Sequence, residues 1–92
     1  MLDLNDFYAY IGEDEPDEMI ERNAKNAIRA ADAWMKQAVG DDYPADEPEA
    51  IELVKMIAAD LYDNRGINNS VSGATRQLVN DFTMHLRLGL RG

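Results

Sequence analysis

Apolar residues between Asp17 and Gly40 recur at steps of three and four positions, the period at which side chains return to one face of an α-helix. This spacing predicts one amphipathic helix of about six turns, roughly 35 Å long. Asp17 and Glu18 place carboxylates at the positive end of the helix dipole, and Gly40 can adopt the left-handed conformation that ends a helix. The predicted core-facing residues are Ile20, Ala24, Ala27, Ile28, Ala31, Trp34, Met35, Ala38 and Val39.

A second helical pattern follows a polar connection with two prolines, DDYPADEP, which is predicted to be a loop. Asp46 or Glu47 can cap this helix, and Pro48 suits its first turn. The helix should run to about Asn64, with Gly66 as the natural stop. Its predicted buried residues are Ala50, Ile51, Leu53, Val54, Ile57, Ala58, Leu61 and Tyr62.

Two further helices are predicted at the ends of the chain. Asp3 can cap a short first helix over residues 3–11, which Gly12 ends. Residues 67–73 are rich in Asn, Ser and Gly and should form an exposed loop, after which Ser72 can cap a last short helix over residues 73–88. The apolar residues expected to face the core are Leu4, Phe7, Tyr8 and Ile11 in the first helix, and Leu78, Val79, Phe82 and Leu86 in the last.

No segment shows the period-two alternation of a strand. We therefore predict an all-α fold in a single domain, residues 1–92: a small bundle of two long antiparallel helices plus short N-terminal and C-terminal helices. Trp34 and Tyr62 are the largest side chains available for the joint between the long helices.

The formal net charge of −9 argues against wrapping a nucleic-acid backbone, because such binding depends on Lys and Arg neutralising phosphates. Acidic and basic residues are also segregated: residues 1–21 carry −8, residues 22–40 carry +3 and residues 41–52 carry −6. Charged surfaces of this kind keep a small protein in solution. They also allow an acidic face of one copy to meet a basic face of the next, a contact that can close into a ring.

The sequence offers no catalytic, cofactor-binding or metal-binding pattern. It has no cysteine and a single histidine, His85, so neither a zinc site nor a thiol nucleophile is expected. The acidic stretches lack the alternating ligands and the glycine of a calcium loop. No apolar run is long enough for a membrane span and the N-terminus lacks a signal-peptide pattern, so we expect a cytosolic chain. Because no catalytic pattern occurs, we do not expect an enzyme.

The order of these parts resembles the head-tail connector family of long-tailed bacteriophages, over nearly the whole chain. The resemblance lies in the short first helix and acidic turn, a long alanine-rich helix ending in AVG, a helix ending in LYDNRG (residues 61–66), a polar loop and the ending LRLGLRG. Some members are labelled DNA-packaging proteins for a Gln-Leu-Arg-Gly ending. Here Leu86 and Arg87 follow His85 instead of glutamine.

The resemblance implies a structural adaptor without cofactors that forms a ring of about twelve copies. Such a ring docks beneath the portal protein and offers a platform to a further neck or tail-completion protein. DNA would pass through its lumen without sequence-specific binding. The implied locations are the virion neck and, during assembly, the host bacterial cytoplasm, with no membrane involved.

Candidate contact residues follow from charge and from the exposed segments. Ends that become ordered on binding are typical of assembly proteins. The candidates for contacts between subunits are Asp14, Glu15, Asp17, Glu18, Arg22, Lys25, Arg29 and Arg65. The candidates for contacts with other partners are Ile67, Asn68, Asn69, Ser70, Val71, Leu88, Leu90 and Arg91, in the 67–73 loop and the tail.

A second hypothesis of a different class is a small acidic helical regulator. Its carboxylates would mimic nucleic acid and bind a basic surface on a protein that handles DNA or RNA. Such a regulator needs no ring, so its oligomeric state distinguishes it from a connector.

Overall fold

The computed structural model describes residues 2–63 and 71–89, with side chains up to Leu86. These residues form four helices and no strand, which confirms the predicted all-α class. Gly66, most of the 67–73 loop and the end of the tail lie outside the described residues. The helices are α1 (Leu4–Ile11), α2 (Glu18–Ala38), α3 (Pro48–Asp63) and α4 (Gly73–Gly89).

The predicted helix ends depend on local caps. The Asp3 carboxylate accepts a hydrogen bond from the N–H of Asn5 at the start of α1, and Asp17 accepts one from Ile20 at 2.8 Å at the start of α2. Gly12 ends α1 in the left-handed conformation, with φ of 78°. The end of α2 differs from the prediction: the helix ends at Ala38, before Gly40, and Gly40 has φ of 138°. Its positive φ lets the chain turn away from α2 without strain.

The core is shared by all four helices. Each helix contributes one of the four largest fully buried side chains, which are Phe7, Met35, Ile57 and Val79. The most extensive interface joins α2 to α3, and both helices contribute fully buried alanines. Because the distance between packed helices depends on the side chains at the contact, small buried residues of this kind allow neighbouring helices to approach closely. The buried alanines are Ala24, Ala31, Ala50 and Ala58.

The C-terminal helix was predicted to be short, with Leu78 facing the core, and the structure differs on both points. It has 17 residues, one more than α3, because no helix breaker occurs between Gly73 and Gly89. Thr75 is 3% exposed and joins the core with Val79 and Phe82, whereas Leu78 is 44% exposed. Leu78 lies to one side of the stripe that these three residues define. The helix was therefore predicted correctly in position and in most of its buried face, since Val79, Phe82 and the partly buried Leu86 face the core, but it is not short.

Both large aromatic residues expected between the long helices pack against α1 or α4. The ring of Tyr62 meets Phe7 of α1 edge to face, with ring centroids 5.9 Å apart. The guanidinium of Arg76, in α4, lies 5.7 Å from the ring centroid of Trp34. These contacts join α1 to α3 and α4 to α2.

A carboxylate on α3 fixes the start of α4. Asp60 accepts hydrogen bonds from the backbone N–H of Ser72 at 3.1 Å and from the hydroxyl of Thr75 at 2.9 Å. The Ser72 hydroxyl accepts a bond from the N–H of Thr75, as predicted for a helix cap. The negative charge of Asp60 also complements the positive end of the α4 dipole. The buried hydroxyl of Thr75 is thereby satisfied.

Tyr8 carries a buried hydroxyl for which the described residues provide no hydrogen-bond partner. Burial, followed by the charge of Glu21, raises the pKa of Tyr8. Replacing Tyr8 with phenylalanine should raise the free energy of unfolding by about 1 kcal/mol, because an unsatisfied buried polar group is removed. Urea denaturation measures this change. Tyr10→Phe, at an exposed tyrosine, is the matched control and should leave the free energy of unfolding unchanged. A loss of stability in Tyr8→Phe would show that the Tyr8 hydroxyl is hydrogen-bonded in solution.

Candidate functional site

The solvent-facing side of α2 carries a row of cations. Arg22 and Arg29 are exposed and lie seven residues apart, which puts them on the same side of the helix. Neither forms an ion pair within the described part of the chain. Lys25 lies between them and contacts Glu21 at 3.4 Å, an exposed pair worth only a few tenths of a kcal/mol. This row therefore keeps uncompensated positive charge available for an external partner.

The first group of predicted acidic contacts lies at the N-terminal end of the same helix. Asp14 and Glu15 are exposed in the turn between α1 and α2. Asp17 and Glu18 are also exposed, and Asp17 caps α2 through its side chain. Arg22 follows one helical turn later, about 6 Å along the axis. The first acidic group and the basic row are thus neighbours on the surface.

A second acidic group surrounds a cleft at the other end of α2. This cleft of about 460 Å³ lies between the loop of residues 39–47 and the C-terminal part of α4. Its apolar lining includes Val39, Tyr43, Pro44 and Leu86, and its carboxylates are Asp41, Asp42 and Glu47. We call it the acidic cleft. Within the described residues, none of these three carboxylates has an ion pair or a hydrogen bond.

Tyr43 anchors the loop that forms the acidic cleft. Its side chain is 9% exposed, and its hydroxyl donates a short hydrogen bond to the carboxylate of Asp32 on α2. Lys36 approaches the same carboxylate at 3.3 Å. The bond from Tyr43 is the main cause of a lowered pKa at Asp32, and burial followed by Asp32 raises the pKa of Tyr43. The sequence pattern did not predict this pair, although a tyrosine inside an otherwise polar loop is a signal for such an anchor.

A smaller cleft of about 200 Å³ lies where the N-terminal segment crosses α2. Leu2, Leu4 and Ile28 form its apolar lining, and Lys25 and Arg29 supply its charge. We call it the basic cleft. Leu2 belongs to the core, so the start of the chain is held against α2 and gives this cleft a wall. Two of the predicted subunit-contact residues are therefore brought together by the fold.

The predicted partner contacts fall on residues of different kinds. Val71 is buried in the core, so it packs α4 onto the domain and is not exposed for a partner. Leu88 lies within α4, but its side chain is not among those described. The other partner-contact candidates lie outside the described residues, as does the subunit-contact candidate Arg65; they are Ile67, Asn68, Asn69, Ser70, Leu90 and Arg91.

The remaining chemistry of the described residues is limited. They contain no group of three or more potential ligands placed to hold a metal ion, and His85 is exposed on α4. No described helix is both long enough and apolar enough to cross a membrane. Comparison with protein-family models, curated proteins and solved structures found no match. A functional assignment therefore depends on the chain's own residues.

Proposed function

We propose that this chain is the structural subunit of a phage head-tail connector and has no enzymatic activity. Identical copies form a ring beneath the portal protein and join the DNA-filled head to a further neck or tail-completion protein. The observation that carries the proposal is the presence of two clefts of opposite charge, the basic one against the middle of α2 and the acidic one beyond its C-terminal end. The order of helices and motifs, which resembles the connector family, supplies the identity of the assembly.

Two different surfaces on one subunit are what a ring requires. A heterologous contact joins surface A of one copy to surface B of the next, and it closes into a ring when the rotation between copies divides a full turn. Val39, directly after the end of α2, follows Ile28 by eleven positions, about 16 Å along the helix axis. The two clefts share no lining residue, as a contact between two different surfaces needs.

In the proposed subunit, α2 and α3 run antiparallel as the two arms of a helical hairpin. The connection between them, residues 39–47, is short, and short connections favour antiparallel neighbours. The extensive interface between the two helices supports the same arrangement. A rigid hairpin would keep the two clefts at a fixed separation, which a closed ring needs.

The net charge of −9 suits a channel for DNA. A lumen lined by carboxylates repels the phosphate backbone and keeps the polyanion from sticking during passage. In this proposal DNA crosses the neck without sequence-specific contacts. A ring whose lumen is basic would contradict this part of the proposal.

Native mass spectrometry of the purified chain over a concentration series, at low and at moderate salt, tests the assembly. We expect a ladder of oligomers that ends in one closed species of about twelve copies. Salt should weaken assembly, because it screens contacts between exposed charges. A monomer at every concentration would contradict self-assembly and favour the acidic regulator, whose binding to a basic protein would then be measured.

A further inference from the structure

We propose that the acidic cleft of one copy binds Lys25 and Arg29 of the basic cleft of the next copy, and that this contact builds the oligomer. The inference rests on the proposed ring and specifies which surfaces form it. It assigns the acidic half of the contact to the loop of residues 39–47, instead of the acidic turn that precedes α2.

The acidic cleft has the composition of a docking surface. Its apolar lining offers area to bury, and the free carboxylates of Asp41, Asp42 and Glu47 set the charge of whatever binds there. The loop is held in place by the bond from Tyr43 to Asp32, so the cleft exists before a partner arrives. A surface arranged in advance loses less conformational freedom on binding.

The occupant that this chain itself offers is the basic cleft of a second copy. Arg29 forms no ion pair within the described residues, and Lys25 has only the weak, exposed contact with Glu21. Both cations flank the partly exposed Leu4, which can contact the apolar lining of the acidic cleft. The charges of the two clefts are therefore complementary.

The position of the acidic cleft explains why it suits a ring better than the turn at Asp14 and Glu15. That turn lies next to Arg22, so acidic and basic groups there form one mixed patch. A mixed patch can pair with its own copy across a two-fold axis, which stops assembly at a dimer. The two clefts share no lining residue, so each addition leaves one acidic cleft and one basic cleft unoccupied until the ring closes.

Charge reversal on each side tests the contact. Asp41→Lys with Asp42→Lys, and separately Lys25→Glu with Arg29→Glu, should each raise the concentration needed for assembly about a hundredfold, because like charges then meet. All four substitutions in one chain leave the net charge at its original value and exchange the two charged surfaces. This combined variant should assemble nearly as well as the unmodified chain. Circular dichroism of each variant checks that the helices are retained.

The matched control reverses the other acidic group. Asp14→Lys with Glu15→Lys changes the net charge as much as the pair at Asp41 and Asp42, but it should leave assembly within a few fold of the unmodified chain. Loss of assembly only in this control, or failure of the combined variant to recover, would overturn the contact while the ring itself stands. An unmodified chain that never assembles would instead contradict the ring.

Discussion

Replacing Phe7 with alanine is expected to lower the free energy of unfolding by about 3–5 kcal/mol. Phe7 is fully buried and is the largest such side chain in the described residues. Its ring also meets Tyr62 edge to face, which adds to the energy of burial. A domain of this size has a total stability of only about 5–15 kcal/mol, so the variant should lose a large fraction of it.

The expected loss reflects how α1 is held. A helix of eight residues is marginal on its own, and packing of its buried face has to stabilise it. The N-terminal segment that leads into α1 forms a wall of the basic cleft through Leu2 and Leu4. Loosening α1 should therefore weaken assembly as well as folding.

Urea denaturation followed by circular dichroism measures the effect of Phe7→Ala. Met19→Ala is the control, because Met19 is a large apolar residue that is 67% exposed, and it should change stability by less than about 0.5 kcal/mol. A loss below about 1 kcal/mol for Phe7→Ala would mean that α1 is only loosely attached in solution.

Replacing Tyr43 with phenylalanine should cost about 1.5–3 kcal/mol, the usual value of a hydrogen bond to a charged group. The substitution keeps the buried ring but removes the hydroxyl that binds the Asp32 carboxylate. Asp32 retains Lys36, so the helix itself should remain intact. The loop of residues 39–47 loses its anchor, and we expect the acidic cleft to become less ordered and assembly to weaken.

The contribution of Tyr43 should depend on pH. Its bond lowers the pKa of Asp32 below the ordinary value of 3.8, so the stabilisation is fully present above that value and is lost as the pH falls through the folded-state pKa. The raised pKa of Tyr43 acts in the opposite direction: its stabilisation is complete below the ordinary value of 10.0 and is lost at higher pH. The difference in free energy of unfolding between the unmodified chain and Tyr43→Phe should therefore be largest near neutral pH and become smaller in acid.

Urea denaturation at several pH values and NMR titration of the Asp32 carboxyl measure both effects. In Tyr43→Phe the pKa of Asp32 should rise, since its main lowering cause is gone. Tyr10→Phe serves as the control here too, because the Tyr10 ring is 47% exposed. The same Tyr→Phe substitution is thus expected to raise the free energy of unfolding at Tyr8, leave it unchanged at Tyr10 and lower it at Tyr43. Equal effects at Tyr43 and Tyr10 would show that the bond to Asp32 does not form.

The helices were predictable because their signals are local. Asp17 caps α2 by bonding to Ile20, three residues away, and the buried stripe of α2 repeats within each turn. Gly12 and Pro48 mark an end and a start for the same reason, since each acts on its own backbone. Segregation of charge along the chain was likewise visible in the residue order.

The residue order alone predicts the helical class, all four helix starts to within a residue, and the acidic and basic segments. The placement of the helices brings Asp60 on α3 to the hydroxyl of Thr75, which lets this polar residue join the buried stripe of α4. It also decided that Trp34 lies beneath Arg76, and that Tyr43 binds Asp32 across eleven residues. These pairings depend on how the helices are placed relative to one another. Side-chain spacing within a single helix carries no information about that placement, so the two clefts became visible only in the folded chain.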